Sequence, residues 1–251
     1  MTSVPQAAVP RVSVCVITYN HALFIRQALD SVLAQRTRFP VEILVGEDDS
    51  NDGTREIVLE YARRFPDRVQ AVLHRREDVI VINGTATGRW NHFDTLSRAR
   101  GEYVAILEGD DYWTDPDKLQ TQADFLDRHP EVMLCTHPVR MAGEAAREGA
   151  TFGAERQRPF GLSDVLPGMI YHAGSWMHRR VDWNSLPDYP LLTRISVADT
   201  PKMWILMRMG PGHCLNECMG VYRLHEGGIW TSRSELKRQF SRMQCRVASI
   251  A

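Results

Sequence analysis

Three carboxylates follow an apolar run in the middle of this sequence: Glu108, Asp110 and Asp111 come directly after residues 103–107 (YVAIL). Carboxylates crowded at the end of a buried strand repel one another unless they face open solvent or share a cation. Oxygen ligands suit Mg²⁺ or Mn²⁺, which proteins commonly hold between one or two carboxylates and substrate phosphates. Taken alone, the cluster is better explained as a solvated acidic turn, because such turns are common.

A second acidic cluster, residues 47–49 (EDD), follows another apolar run at residues 41–46 (VEILVG). A carboxylate at such a position can accept hydrogen bonds from the N–H of a base or from a ribose hydroxyl. Alone, this cluster also reads more simply as a loop with helix-capping acids. Two acidic clusters at the ends of neighbouring strands arise by chance much less readily, so together they indicate a nucleotide and metal site.

The elements that must position these acids alternate between strand and helix patterns. We predict strands at residues 12–17, 41–46, 69–73, 103–107, 132–135 and 171–179. We predict helices at residues 55–65 (capped by Thr54), 93–100, 118–127 and 201–209, and a mobile loop at 143–159. A further predicted helix follows the first strand, and its apolar face consists of Leu23, Ile25, Ala28, Leu29, Val32 and Leu33. This alternation predicts an α/β fold with a mostly parallel sheet. Ligands of open α/β sheets bind at the carboxyl ends of the strands, where both acidic clusters stand.

Three spaced motifs carry a family resemblance. They are residues 14–20 (VCVITYN), residues 47–54 (EDDSNDGT), and residues 99–103 (ARGEY) leading to 107–113 (LEGDDYW). Together they resemble the family 2 glycosyltransferases of the GT-A fold, which usually show a strand ending in T-Y-N, a D-D-G-S-x-D-G-T segment and a D-x-D-D segment in this order. The resemblance covers residues 12–130. Two of the motifs depart from the family pattern. In the second, Glu47 replaces an Asp and Asp49 replaces a Gly, and in the third, Glu108 replaces an Asp.

The resemblance implies a donor site for a nucleotide sugar, a UDP-sugar above all, with Mn²⁺ or Mg²⁺ as cofactor. Its implied nucleotide-binding residues are Thr18, Tyr19, Asn20, Glu47, Asp48, Asp110 and Arg223, and its implied metal ligands are Asp110, Asp111 and His225. Within these sets, Asp48 contacts the base, and Asp111 is the firmer metal ligand. Arg223 and His225 belong to residues 222–228 (YRLHEGG), which resemble the late Y-R-x-H segment of the family.

The catalytic base implied by the resemblance is Asp199. Residues 196–200 (SVADT) and 202–208 (KMWILMR) are similar to the E-D-x-x-L-W-x-R-L segment that contains the base in this family. A helix N-cap is the alternative role for an Asp that precedes Pro201. As base, Asp199 would deprotonate an acceptor hydroxyl that displaces the nucleoside diphosphate in one inverting step.

Two other functions remain open. A sugar-nucleotide pyrophosphorylase would share the fold class, but it should carry a Gly-rich, Arg-containing loop where this chain has residues 18–21 (TYNH). A non-catalytic nucleotide-sugar-binding or scaffold protein would keep the pocket without needing Asp199. A dinucleotide oxidoreductase is excluded, because no G-x-G-x-x-G follows the first strand.

The composition is that of an ordinary globular protein, with 251 residues, 43% hydrophobic and 24% charged. A net charge of -1 gives no electrostatic argument for nucleic acid as a partner. The five cysteines are scattered and odd in number, which predicts reduced thiols. With neither a secretory signal nor an apolar stretch long enough to span a membrane, we expect a cytoplasmic protein, with peripheral contact at the inner face of the membrane as an open alternative.

The predicted organisation has four parts. A leader at residues 1–11 precedes the donor-binding half at 12–130, and the acceptor-side half follows at 131–233. Residues 234–251 form a predicted basic amphipathic helix, for which packing on its own domain is preferred to contact with anionic lipid. The acceptor is a hydroxyl of a glycan, a lipid-linked saccharide or a small molecule.

Overall fold

The computed structural model describes residues 9–143, 146–147, 149–153, 158–166, 168, 170–194 and 198–228. The predicted C-terminal helix at residues 234–251 and most of the leader lie outside the described residues.

Strands and helices alternate through the first half of the chain. The strands are β1 (Val12–Thr18), β2 (Val41–Glu47), β3 (Val69–Leu73), β4 (Ile80–Ile82), β5 (Thr85–Thr87), β6 (Tyr103–Glu108), β7 (Tyr112–Trp113), β8 (Leu134–Thr136), β9 (Val139–Ala142), β10 (Thr151–Phe152), β11 (Arg158–Phe160), β12 (Met177–Arg179), β13 (Gly212–Cys214) and β14 (Gly220–Arg223). The helices are α1 (Ile25–Leu33), α2 (Thr54–Arg64), α3 (Arg89–Ser97), α4 (Lys118–Arg128), α5 (Leu162–Val165), α6 (Tyr189–Leu192) and α7 (Asp199–Met209).

An eight-stranded sheet forms the centre of the fold, in the order β11-β13-β8-β12-β6-β1-β2-β3. Strands β6, β1, β2 and β3 pair in parallel, whereas β12 and β11 run antiparallel to their neighbours. A four-stranded sheet, β10-β9-β14-β7, lies beside it and carries residues of the later motif on β14. The predicted α/β fold with a mostly parallel sheet is confirmed.

Both faces of the central sheet are buried, as expected for parallel strands between helices. Alternate residues of β1 illustrate this, because Val14 and Val16 belong to one apolar cluster with α1 and α4, and Cys15 belongs to the other with α3 and α7. Side chains of successive strand residues point to opposite faces, so a run of apolar residues without alternation is the pattern that a two-sided core requires.

Several local predictions need correction. Leu23 precedes α1 and is 90% exposed, so it does not belong to the apolar face of that helix. Thr54 is not the N-cap of α2, because Gly53 holds that position with a φ of 100°. Helix α3 begins at Arg89, four residues before the predicted start at 93. The predicted loop at 143–159 contains strand β10 and the start of β11.

A close contact between β2 and α3 aligns the strand ends that carry the site. Asn91 Nδ2 donates to the carbonyl oxygen of Gly46 at 3.0 Å and lies 3.4 Å from that of Thr18. A Cβ at Gly46 would lie 2.1 Å from Asn91 Oδ1 and 2.2 Å from Thr95 Oγ1. The glycine therefore allows α3 to approach the sheet and tie the ends of β1 and β2 together.

Two further observations concern the chain as a whole. Within the part that the structure describes, none of the helices has the length and apolar character needed to cross a membrane. Of the cysteines that the structure describes, Cys15, Cys135 and Cys214 are buried, whereas Cys218 is exposed.

Candidate active site

The two acidic clusters meet at one edge of the central sheet. In the parallel register, Thr18 of β1 pairs with Glu47 of β2, and Ile17 pairs with Glu108 of β6. From the sequence, the two acidic clusters are expected on neighbouring strands. In the structure β1 lies between β2 and β6, so these two acid-bearing strands are not neighbours. The loop after β1 is therefore flanked on both sides by carboxylates.

Backbone and side-chain hydrogen bonds join the loops after β1 and β2. The backbone N–H of Asn20 donates to Ser50 Oγ at 2.9 Å, and Asn20 Oδ1 accepts from the backbone of Asn51 at 3.1 Å. Asp49 has a φ of 60°, in the left-handed region that glycine favours, which is where the family pattern has Gly. Asn20 thus holds the two loops together.

Asp48 and Tyr19 both contact Arg76, a residue that the sequence analysis did not select. Arg76 Nη1 lies 3.0 Å from Asp48 Oδ2, and its guanidinium carbon lies 4.5 Å from the centre of the Tyr19 ring. Burial raises the pKa of Asp48 to about 6, although the Arg76 charge opposes this shift. A flat ring and a buried hydrogen-bond acceptor are the components that a nucleobase site needs.

Glu47, the residue before Asp48, is the last residue of β2. Its side chain is fully buried, its Oε2 lies 2.5 Å from Arg55 Nε, and its Oε1 accepts from the backbone of Ser50 at 2.7 Å. Both oxygens thus bind groups of the protein itself. These contacts indicate that Glu47 supports the loop after β2.

Asp110 projects between two imidazoles. Its Oδ2 lies 3.1 Å from His225 Nε2 and 3.7 Å from His21 Nε2, and each of the three side chains is between 17% and 20% exposed. Burial raises the pKa of Asp110, but the hydrogen bond with His225 and the other neighbouring groups together outweigh that effect and leave the pKa below its ordinary value. Burial lowers the pKa of His21, so its imidazole is neutral. One carboxylate and two imidazoles form a set of metal-ligating type.

Asp111 points into the protein. Its Oδ1 accepts the backbone N–H of Arg223 at 2.8 Å, and its Oδ2 lies 3.6 Å from His172 Nε2. The side chain is 3% exposed. Burial, reinforced by Asp110 and Glu108, raises the pKa of Asp111 well above its ordinary value.

Glu108 completes a second group of possible ligands. Glu108, Asp111 and His172 offer ligand atoms that all lie within 4.8 Å of one another. Glu108 Oε2 is buried without a hydrogen-bond partner, and burial raises the pKa of this carboxyl to about 8. A divalent cation near these acids would compensate for this orphaned oxygen, so the residues at the end of β6 fit a metal.

Arg223 extends along the outer side of Asp110. Its Nη1 donates to the carbonyl oxygen of Asp110, and its Nη2 donates to Gln27 Oε1. The guanidinium carbon lies 4.5 Å from the centre of the Tyr112 ring. These contacts hold a permanent positive charge beside the acidic cluster.

Asp199 is the first residue of α7, and Ala198 is the N-cap. The cap has no side-chain hydrogen bond, so the geometry does not support the capping role considered from the sequence. Instead, Asp199 Oδ1 lies 3.0 Å from Lys202 Nζ. Asp199 is near enough to Glu108 to contribute, after burial, to the raised pKa of that carboxyl. The structure thus brings it to the same edge of the sheet.

Sequence reasoning missed five residues of this site. They are His21, Arg76, His92, His172 and Lys202. Two of them gave a local signal, because His21 directly follows the T-Y-N motif and Lys202 is a charged residue three positions after Asp199. Arg76, His92 and His172 come from distant segments and carry no motif of their own.

Proteins of similar sequence are known from bacteria. The chain is 38% identical over 236 residues to the uncharacterized protein Rv1520 of Mycobacterium tuberculosis, a match covering 91% of this chain and 63% of that protein. It is 28% identical over 228 residues to the putative teichuronic acid biosynthesis glycosyltransferase TuaG of Bacillus subtilis, covering 89% and 83%. The chain thus spans less than two thirds of the mycobacterial relative.

Solved structures share the fold. S. aureus TarS in complex with UDP-GlcNAc aligns with a TM-score of 0.62 at 19% identity, over 89% of this chain and 61% of that one. The mannosyltransferase PcManGT from Pyrobaculum calidifontis, in complex with GDP-Man and Mn²⁺, aligns with a TM-score of 0.63 at 21% identity, over 96% and 64%.

The fold is that of a GT-A glycosyltransferase domain. The model of glycosyl transferase family 2 matches residues 13–184, more than half of the sequence. The chain belongs to glycosyl transferase family 2.

Proposed function

We propose that this chain transfers a sugar from a nucleotide diphosphate sugar to an acceptor hydroxyl, in a single displacement that inverts the anomeric centre. One observation carries the proposal: Asp48, Asp110 and Asp199 come from distant segments and lie around one edge of the sheet, each in a different environment. Asp48 is a buried hydrogen-bond acceptor, Asp110 is a carboxylate between imidazoles, and Asp199 is paired with a lysine, so the three carboxylates suit three different tasks.

The first task is recognition of the nucleotide. The ring of Tyr19 is 39% exposed and offers a face for the base, and Asp48 accepts a base N–H. Arg76 now lies over that ring and is paired with Asp48, so it must move or contact the base itself when a nucleotide binds.

The second task is to hold the diphosphate. Asp110, with His225 and His21 beside it, would hold a divalent cation at a position that solvent and substrate can reach, since these side chains are 17–20% exposed. When bound, Mn²⁺ or Mg²⁺ supplies positive charge that stabilises a departing nucleoside diphosphate. Arg223 places a further positive charge next to the same carboxylate.

The third task is general base catalysis. Asp199 accepts the proton of the acceptor hydroxyl as that oxygen attacks the anomeric carbon and the bond to the diphosphate breaks. Its side chain is 34% exposed, so the proton can leave to solvent afterwards. Burial raises the pKa of Asp199, but the charge and hydrogen bond of Lys202, acting together with the other neighbouring groups, outweigh it and hold the pKa at about 2. The carboxyl is therefore ionised before substrate binds.

The donor is proposed to be a UDP-sugar. TarS, which shares the fold, is in complex with UDP-GlcNAc, whereas PcManGT is in complex with GDP-Man and Mn²⁺, so GDP is the alternative base to test. The similarity to TuaG, a putative teichuronic acid biosynthesis glycosyltransferase, favours a polysaccharide as the product. Scaffold function without catalysis remains the competing hypothesis, because it would need the pocket but not Asp199.

Calorimetric titration of the purified protein with UDP, GDP and dTDP, each with and without Mn²⁺, tests the donor site. We expect one nucleotide to bind, with an affinity that depends on Mn²⁺. Asp164→Asn serves as a control that should bind nucleotide as the wild type does, because this acid belongs to α5 and pairs with Arg158 at 3.5 Å. If a folded protein binds none of the three nucleotides, the donor site is refuted.

Binding of the nucleotide should also depend on the protonation of Asp48. The pKa of this carboxyl is raised to about 6, so the group is ionised above that pH and protonated below it. Because the ionised form is the better acceptor for a base N–H, affinity should fall as the pH is lowered through 6. Calorimetry from pH 5 to pH 8, a range of about one to two units around that pKa, measures the change.

Asp48→Asn is the control for this pH dependence. It should bind the nucleotide more weakly at neutral pH, by about tenfold for the loss of one charged hydrogen bond, and its affinity should fall less than that of the wild type as the pH is lowered through 6. A wild-type protein whose affinity is constant through pH 6 would contradict the assignment of Asp48.

A further inference from the structure

A buried lysine stands beside the proposed base. Lys202 is 0% exposed and lies on α7 three residues after Asp199, which puts both side chains on one face of the helix. Its Nζ lies 3.0 Å from Asp199 Oδ1 and 2.7 Å from His92 Nε2. The same nitrogen lies 5.4 Å from the centre of the Trp176 ring.

These contacts define the protonation of the cluster. An ammonium has three donors and no acceptor, so His92 Nε2 accepts from Lys202. Burial and the charge of Lys202 hold the pKa of His92 well below its ordinary value, so its imidazole stays neutral. The cluster therefore contains one positive charge, on Lys202, and one negative charge, on Asp199.

Burying an ammonium in this way has a large desolvation cost, which an apolar residue at the same position would not incur. The neighbours of Lys202 on α7 show that apolar residues are accepted there, because Met203, Leu206 and Met207 are all buried in the same core. Stability therefore does not account for the choice of lysine. Its direct contact with the proposed base points to a role in the reaction.

We propose that Lys202 is a positioning residue that, fixed by His92, holds Oδ1 of Asp199 and directs Oδ2 toward the acceptor hydroxyl. This inference rests on the proposed role of Asp199 as general base. Lys202 transfers no proton: the proton moves from the acceptor hydroxyl to Asp199 and then to solvent. A base that is oriented before substrate binds loses less freedom on reaching the transition state.

The surroundings of Asp199 allow the effect of Lys202 to be isolated. The titratable or charged groups that act on Asp199 are Lys202 from its own helix, His92 and Arg89 from α3, Glu108 at the end of β6, His172 before β12 and Tyr222 on β14. Lys202 makes the largest of the contributions that oppose burial. Its replacement by methionine should therefore raise the pKa of Asp199 above the ordinary 3.8.

The experiment combines NMR with a double-mutant cycle. Carboxyl ¹³C resonances of labelled protein are followed against pH, with Asp199→Asn identifying the Asp199 signal. Release of nucleoside diphosphate from UDP-GlcNAc and from GDP-mannose, with water as acceptor, gives the reaction rate. The variants are Lys202→Met, Asp199→Asn and the double variant, and Arg208→Met removes an exposed cation of the same helix as a control.

We expect Asp199 of the wild type to show no titration above pH 3.8, and that of Lys202→Met to titrate above it. The rate of Lys202→Met should fall about tenfold or more, with unchanged nucleotide affinity, as expected when a catalytic group loses its orientation. In the Asp199→Asn background, the lysine substitution should cause no further loss, because its effect passes through Asp199.

Three outcomes separate the hypotheses. Wild-type activity of Asp199→Asn refutes the proposed general base itself. An inactive Asp199→Asn together with an additional loss in the double variant overturns the role of Lys202 and makes it a structural residue. A wild-type Asp199 that titrates above pH 3.8 also overturns this role, and this result does not depend on the folding of any variant.

Discussion

Asp199→Asn should reduce sugar transfer by about 10²- to 10⁴-fold, the range that a positioned general base contributes. The amide has the size and shape of the carboxylate but cannot accept the proton of the acceptor hydroxyl. The affinity for nucleotide should remain that of the wild type, because Asp48 and Asp110 are unchanged and provide the proposed contacts with the donor. The turnover rate, and calorimetric titration of the nucleotide in the same preparation, measure the two effects separately.

Asp188→Asn is the matched control for this substitution. Asp188 also pairs with a cation of α7, Arg208, at 2.9 Å, and its side chain has the same 34% exposure as that of Asp199. Loss of such an exposed pair changes stability by only about 0–1 kcal/mol. If Asp188→Asn and Asp199→Asn transfer sugar at the same rate, the base must be sought elsewhere, whereas a wild type that binds nucleotide but transfers no sugar would favour the scaffold hypothesis.

The second large effect is expected for Asp110→Asn, which should weaken Mn²⁺-dependent nucleotide binding by about 100-fold or more, since even residues behind the ligands of a metal change its affinity 10- to 100-fold. The reason is the position of Asp110 between His225 and His21, where substrate can reach it. The sequence prediction instead makes Asp111 the firmer ligand. Titration of nucleotide at several Mn²⁺ concentrations measures the loss.

Asp111→Asn distinguishes the two assignments. Asp111 is almost fully enclosed and bound to the backbone of Arg223, so its substitution should lower the free energy of unfolding more than it changes the metal dependence of binding. Chemical denaturation of both variants provides the comparison. Retained Mn²⁺ dependence in Asp110→Asn, with loss of that dependence in a folded Asp111→Asn, would move the cation to the group formed by Glu108, Asp111 and His172.

Both predictions depend on how the fold surrounds each carboxylate and thereby sets its pKa. Three carboxylates of the same chemical type have different pKa values because their surroundings differ: raised to about 6 at Asp48, lowered at Asp110, and held at about 2 at Asp199. Burial raises the pKa in every case. The neighbours then decide, since the Arg76 charge only limits the shift at Asp48, whereas the groups around Asp110, led by the His225 hydrogen bond, and those around Asp199, led by the Lys202 charge, together reverse it.

The sequence by itself determined the order of elements and the identity of the sheet edge. Apolar runs at residues 12–17, 41–46 and 103–107 match β1, β2 and β6 to within a residue at either end, because a strand buried on both faces needs a continuous apolar run. The acids that follow the second and third of these runs are therefore expected at the same edge of the sheet, since parallel strands place their carboxyl ends together. Local pattern was sufficient for this part of the site.

Local pattern failed where long-range packing decides. Helix α3 starts at Arg89 although Thr87-Gly88 reads as a turn, because Asn91 and Phe93 bind and pack against the sheet from that helix. Similarly, the aperiodic stretch at 143–159 contributes β10, which forms only because β9 is available as its partner. Isolated short strands have no periodicity to detect.

Only the tertiary structure decided which side chains modify the acids. Lys202 is three residues from Asp199 in sequence, yet its partner His92 is 110 residues away. Arg76 and Asp48 are likewise brought together by the loops after β2 and β3. A carboxylate can be recognised from its motif, but its pKa and orientation depend on the burial and charges around it, and these arise only when distant segments pack together.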